Sequence, residues 1–175
     1  MKREITLGLA MFIAAVALGG VSFAADKPFD ARDEGFLKDT AQRDLLMIKL
    51  GDYAAQHAES QTVKDLGKQV AEDHRQNRQQ VLDLAKDNKT DLHQNEKLLP
   101  TQQEYFDMIT KKPGISFDKD YTKWLVAQHS EEIKQFQLER DHAHDVQVRE
   151  YAGKTLPTLE QHLKSARDAQ AKVWS

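Results

Sequence analysis

Three histidines stand where apolar residues are expected. His74, His129 and His162 each fall near the middle of a long helical pattern, on its apolar face. A buried polar group costs free energy unless it is paired. One such histidine reads as a hydrogen-bonded core residue. Three on separate helices call for a common partner: one another, carboxylates or a metal ion. Carboxylates are near in sequence. Asp73 precedes His74, and Glu132 follows His129 by three residues, so that pair can look across one groove. Glu160 lies two residues before His162 and should point to the side. Neutral imidazole suits zinc, copper, iron and nickel, while carboxylates suit harder ions. His74, His129, His162, Glu132 and Asp73 are therefore the candidate ligands of a divalent transition metal, with zinc, iron, copper and manganese as the candidates. A purely structural polar network of the same residues accounts for the pattern equally well.

Other chemistry is narrower. The chain has no cysteine, which excludes disulfides, thiol catalysis and thiolate metal sites. Histidine with Glu132 or Asp73 could act as acid and base, since imidazole titrates near neutrality. No nucleophile arrangement makes an enzyme specific. His57 falls near a helix end, where it can meet the last carbonyls. His93 falls in a loop. His142 and His144 form a local patch with Asp141, open to a surface ion or explained by a helix end.

Four long helices position these residues. In the first, Ala31 to Ala58, the residues Phe36, Leu37, Ala41, Leu45, Ile48 and Ala55 recur at helical steps. Ser60 begins the second, whose face runs Val63, Leu66, Val70, His74, Asn77, Val81, Leu84 and which ends near Asn88. The short link makes the two an antiparallel pair. Asp87 to Gly114 is a long crossover, with a short helix over Thr101 to Thr110 stopped by Lys112-Pro113-Gly114. The third long helix starts near Ser116 or Asp118, buries Tyr121, Leu125, His129, Ile133 and Phe136, and ends around His142 to His144. The fourth runs from Asp145 toward Lys172 through Val148, Ala152, Thr155, Leu159, His162 and Ala166, with a kink expected at Pro157. Two pairs and a crossover predict an all-α four-helix bundle with the long crossover between helices two and three. No convincing internal repeat is evident; the halves resemble each other only as helical pairs.

The N-terminus reads as a signal peptide. Lys2 and Arg3 precede an apolar stretch from Ile5 to Val21, and Ser22-Phe23-Ala24 presents small residues at the −3 and −1 positions. Cleavage is expected after Ala24, leaving residues 25–175 as one periplasmic domain. The apolar stretch is short for a membrane span, which needs about 20 residues, and no other stretch is apolar enough. The formal net charge of −3 argues against nucleic acid as a partner, because phosphate binding needs clustered positive charge. An envelope protein remains the partner to consider; the oligomeric state is not legible.

Several stretches together resemble a known family. They are Ile48-Lys49-Leu50-Gly51, Val63-Lys64 through Asp73-His74, Phe117-Asp118-Lys119-Asp120-Tyr121, His129, and Thr155-Leu156-Pro157-Thr158-Leu159 leading to His162. Spread from Asp33 to Ala169, they are similar to the bacterial DUF4142 family, ferritin-like envelope proteins often labelled outer membrane proteins. The resemblance implies a ferritin-like up-down bundle, secretion and a metal site, with His74, His129 and His162 matching the family's recurrent histidines; the core-facing histidines themselves point to a metal-binding or stress-related envelope protein. The label does not imply a barrel, which needs alternating strands. Relatives commonly place a glutamate where this chain has Met47. If that glutamate is a ligand, Asp44 or Asp52 must replace it or the first helix contributes nothing. The chain also lacks the paired Glu-x-x-His motifs of di-iron bundles.

Overall fold

The structure is a computed structural model and describes residues 29–92 and 96–175. The expected signal over residues 1–24 and His93 lie outside the described residues. The helices are α1 (Ala31–His57), α2 (Gln61–Asp87), α3 (Pro100–Thr110), α4 (Ile115–His142) and α5 (Val146–Trp174), with no strand among the described residues. Their boundaries follow local chemistry. The Asp30 carboxylate accepts from the backbone N–H groups of Arg32 and Asp33 and starts α1, and Asp145 caps α5 through Gln147. Pro100 opens α3, where its missing donor is harmless. Gly114 takes a φ of 60° before α4, a conformation that favours glycine. α5 continues through Pro157 to Trp174.

α1 packs on α2, and α4 packs on α5. Gly51 and Gly67 allow the first pair to approach closely: a Cβ on either would lie 2.7 Å from the other's carbonyl oxygen. Two buried aspartates then lock the pairs together. Asp118, near the start of α4, accepts from the backbone N–H groups of Glu59 and Ser60 in the α1–α2 turn, at 3.1 and 2.7 Å. Asp33, near the start of α1, accepts from His144 and Asp145 in the α4–α5 turn, at 3.1 and 2.6 Å. So α4 starts where α1 ends, and the helices run up, down, down, up. The crossover must return along the bundle, as in ferritin-like folds. It is pinned there: Gln42 and Gln102 exchange hydrogen bonds, and the Tyr53 hydroxyl donates to the Thr110 carbonyl.

The backbone carries a repeat that the residue types hide. His57 and His142, which end α1 and α4, are 85 positions apart, as are Gln61 and Val146, which begin α2 and α5. The turns are conformational copies. Ala58 has φ −57° and ψ 148°, and Ala143 has φ −58° and ψ 145°. Asp33 and Asp118 are also 85 apart and perform the same task on opposite turns. The bundle is thus two copies of one helical hairpin related by an approximate twofold axis. Each aspartate satisfies two donors that would otherwise lose their partners, so Asp118→Ala and Asp33→Ala should each cost roughly 2–3 kcal/mol. Urea unfolding of both variants measures this. A loss in one variant without the other would show that the two turns are not equivalent.

Two apolar clusters fill the bundle. One gathers Met47, Leu50, Val63, Phe117, Tyr121 and Leu125 with their neighbours, and the other Leu37, Val81, Phe136, Val148, Leu156 and Leu159. The mid-helix residues Asp44, His74, His129 and His162 belong to neither and form a buried polar layer.

Candidate metal centre

Each histidine is placed by its own helix, and all three meet. His74 Nε2 lies 3.3 Å from His129 Nε2, which lies 3.2 Å from His162 Nδ1. All three rings are almost wholly buried. The outward nitrogens each face an acceptor. His74 Nδ1 is 2.7 Å from Asp44 Oδ1, His129 Nδ1 is 3.1 Å from the Leu125 carbonyl, and His162 Nε2 is 2.8 Å from Asp73 Oδ2. An acceptor needs a proton opposite it, so these partners assign each outward nitrogen an N–H. In the neutral rings, all three inward nitrogens then present lone pairs to one another.

With all three rings neutral, lone pairs face one another. A single proton between His74 and His129 serves two lone pairs and leaves the third facing another. A metal ion serves all three. Bonds of about 2.0–2.1 Å in a tetrahedron require nitrogens roughly 3.3 Å apart, close to the spacing of His74 Nε2 and of His162 Nδ1 from His129 Nε2. The carboxylate or carbonyl behind each ring is the support that metal-bound histidines use to fix tautomer and orientation. The donor set of imidazole nitrogen with nearby carboxylate, and no sulfur, fits a borderline divalent ion.

Charge surrounds the triad unevenly. Burial opposes a charge on His74, but the hydrogen bond and charge of Asp44, with Glu132 and Asp73 behind it, raise its pKa above the ordinary value. Burial, then the charges of His74 and His162, hold His129 well below its ordinary value. Burial lowers His162 despite Asp73. Asp44 is fully engaged, since Asn77 Nδ2 donates to its second oxygen at 2.9 Å and Tyr151 donates in turn to Asn77 Oδ1 at 2.8 Å.

Glu132 is the exception. It is fully buried, and neither carboxylate oxygen has a hydrogen-bond partner. Arg43 Nη1, itself without an acceptor, stands 3.9 Å away. Burial raises the Glu132 pKa above the usual carboxylate value, and Asp44 adds to this, while His74 and Arg43 oppose it. Asp44, His74 and Glu132 place ligand atoms within 4.8 Å of one another, as do the three histidines. Thus His74, His129 and His162 converge, Glu132 stands beside His74, and Asp73 acts on the outward nitrogen of His162. Glu160 is exposed. Asp141 pairs with Arg140, His144 with Asp30, and His57 bonds the Tyr53 carbonyl, so none joins the centre.

Sequence reasoning placed Asp44 only as a substitute for a missing glutamate, and did not find Asn77, Tyr151 or Arg43 as supports. The 85-residue repeat was the signal available. Asp44, Met47, His74 and Asn77 of one hairpin correspond to His129, Glu132, Leu159 and His162 of the other, and all eight are buried. The polar layer is therefore one set of pseudo-equivalent positions filled asymmetrically. Met47 and Leu159 are its two apolar members.

No curated protein and no solved structure matches the chain. One family profile, described as a domain of unknown function, matches residues 20–169, and by that match the chain belongs to the DUF4142 family.

Proposed function

We propose that this protein is an exported helical bundle of the bacterial envelope that binds one divalent transition-metal ion through His74, His129 and His162. The observation that carries this reading is the convergence of three inward lone pairs whose outward nitrogens are all locked by acceptors. Charge supports it. Asp44, Asp73 and Glu132 against Arg43 leave two negative charges around the triad, which one divalent ion neutralises. Glu132, three residues after His129 and without a hydrogen bond, is the group to complete the coordination or balance the ion. The charged start, apolar stretch and small-residue site over residues 1–24 support export. No described helix is long and apolar enough to cross a membrane.

The test is elemental analysis of the folded mature chain, purified without a metal-affinity tag. One zinc, iron, copper or manganese per chain is expected. A chain that arrives empty and takes up none of the four overturns the reading. A second reading, an interaction module of the envelope without metal, draws on Leu99, Tyr105, Met108 and Ile115, which are exposed on and around α3. It is the reading left if metal neither binds nor alters the protein.

A further inference from the structure

The polar centre is sealed on nearly every side. Its three rings and the carboxylates of Asp44 and Glu132 are buried. An ion must nevertheless reach them. Of the clefts over the seams where one hairpin meets the other, two are lined by side chains that stand directly against the centre. Each is lined by one carboxylate and one cation, Asp39 with Arg43 and Asp73 with Lys154, and they differ in which of these reaches the centre.

The α1–α4 cleft, about 280 Å³, is lined by Gln42, Arg43, Leu99, Tyr105, Trp124 and Gln128, among others, and lies beside α3. Arg43 stands between it and Glu132. A fixed guanidinium on that path repels an incoming divalent cation. The α2–α5 cleft, about 270 Å³, is lined by Asp73, Gln76, Asn77, Lys154, Thr155 and Thr158, with Gln80. Each residue of this lining carries a polar group. Two of its residues are also direct partners of the centre: Asp73 holds His162, and Asn77 holds Asp44. The Asp73 side chain is 32% exposed, against 1% for His162. It has one oxygen on the triad and stands in open solvent as well. At both seams the hairpins pack on each other less closely than the two helices within a hairpin do. Pro157, on the α5 side of this cleft, removes one helical donor from the backbone beside it.

Resting on the metal-binding reading, we propose that the α2–α5 cleft is the route by which the ion enters and leaves, and that Asp73 is the carboxylate that first receives the hydrated cation. The ion meets Asp73 in the cleft, parts it from His162, and passes to the inward nitrogens. Asp73 then returns to the His162 N–H. The α1–α4 seam stays closed to cations behind Arg43.

Kinetics separate a route from a mere support of the site. Cobalt(II) uptake by the mature chain can be followed by its visible absorption in stopped flow, and its release by chelator competition. Thr158 is exposed and lines the cleft. Thr158→Phe should obstruct the cleft and slow uptake and release together by about tenfold, equal to roughly 1.4 kcal/mol of barrier, with the dissociation constant unchanged. Lys154→Glu puts negative charge at the rim and should speed uptake several-fold at low salt, with the gain lost at high salt. Lys123→Glu makes the same charge change on the exposed face of α4 and should leave uptake unaltered. Circular dichroism confirms that each variant is folded. Unchanged rates in Thr158→Phe, or equal acceleration by Lys123→Glu and Lys154→Glu, overturn the route while leaving the centre intact. A wild-type chain that takes up no cobalt overturns the centre and the route with it.

Discussion

Zinc added to the metal-free chain lacking residues 1–24 should raise its unfolding temperature, and His129→Ala should erase the rise. A ligand that binds only the native state stabilises it by mass action, about 4.1 kcal/mol at a thousand times its dissociation constant. For a domain of this size each kcal/mol moves the midpoint by about 2–4 °C, so a rise of roughly 8–16 °C is expected. His129 is the sharpest place to test this, because its Nε2 is the atom that both other rings approach. Alanine there also leaves a cavity and removes the partner of His74. In chelator the variant should therefore already lose roughly 1–3 kcal/mol. A structural network predicts that loss and nothing more. The metal-dependent rise is the separate readout. An equal rise in wild type and His129→Ala would remove His129 from the ligands, and no rise in either would leave the network reading.

The fold was largely legible because each helix is bounded by chemistry that local sequence carries. Pro100, Gly114, Asp145 and the short turns announce themselves, and the stripes of α2, α4 and α5 bury the residues their spacing predicts, except Leu84, which is only partly buried. α1 was legible in part: Leu37, Ala41 and Leu45 are buried as their spacing predicts, and Phe36 only partly. Leu45, Leu46 and Met47 form a continuous apolar run, and Ile48 extends it, so the strongest stripe by residue type runs through Ile48 and Ala55. Both are only partly buried. The stripe that faces the core is Asp33, Leu37, Thr40, Asp44, Met47, Leu50 and Ala54. Two aspartates and a threonine in that stripe look like solvent-facing residues. The aspartates are inside because each has work there: Asp33 holds the opposite turn and Asp44 holds His74, whereas the buried Thr40 hydroxyl has no hydrogen-bond partner. Where function puts polar groups in a core, periodicity of apolar residues loses its phase.

The site was half legible for the same reason. Spacing along one helix identifies which residues face inward, and that found the three histidines and Glu132. It carries nothing about which residues meet across helices. Asp73 shows the difference. Beside His74 in sequence, it points instead to His162, 89 positions away. The hairpin repeat escaped notice because the corresponding centre residues differ in kind: Asp44 with His129, Met47 with Glu132, His74 with Leu159, Asn77 with His162. A common scaffold has been filled with different side chains precisely where chemistry would occur, so the identity signal is weakest at the positions of greatest interest.

Glu132→Gln should move stability in opposite directions with and without metal. In the metal-free protein Glu132 is buried, lacks hydrogen bonds, and has a raised pKa. Its folded form therefore holds a proton more firmly than the unfolded chain does. Below the unfolded carboxylate pKa both states are protonated and the group adds no penalty. As pH rises past that value the unfolded chain ionises freely, while the folded chain must either keep the proton or bury a charge, and stability falls. Glutamine has nearly the same shape and cannot ionise. The metal-free variant should thus be more stable than wild type near neutral pH, with the advantage disappearing in acid. With metal the sign reverses. An ion at the triad favours the carboxylate, and removing that charge leaves the centre one positive charge in excess in a buried site. The variant should bind metal at least about tenfold more weakly, a loss of roughly 1.4 kcal/mol. Unfolding of both proteins across acid to neutral pH, with chelator and with zinc, reads the two effects at once. If Glu132 is merely a packing residue, the substitution changes the two forms alike and the crossover does not occur. If the carboxylate is the ion's counter-charge, the curves of wild type and variant exchange order when zinc is added.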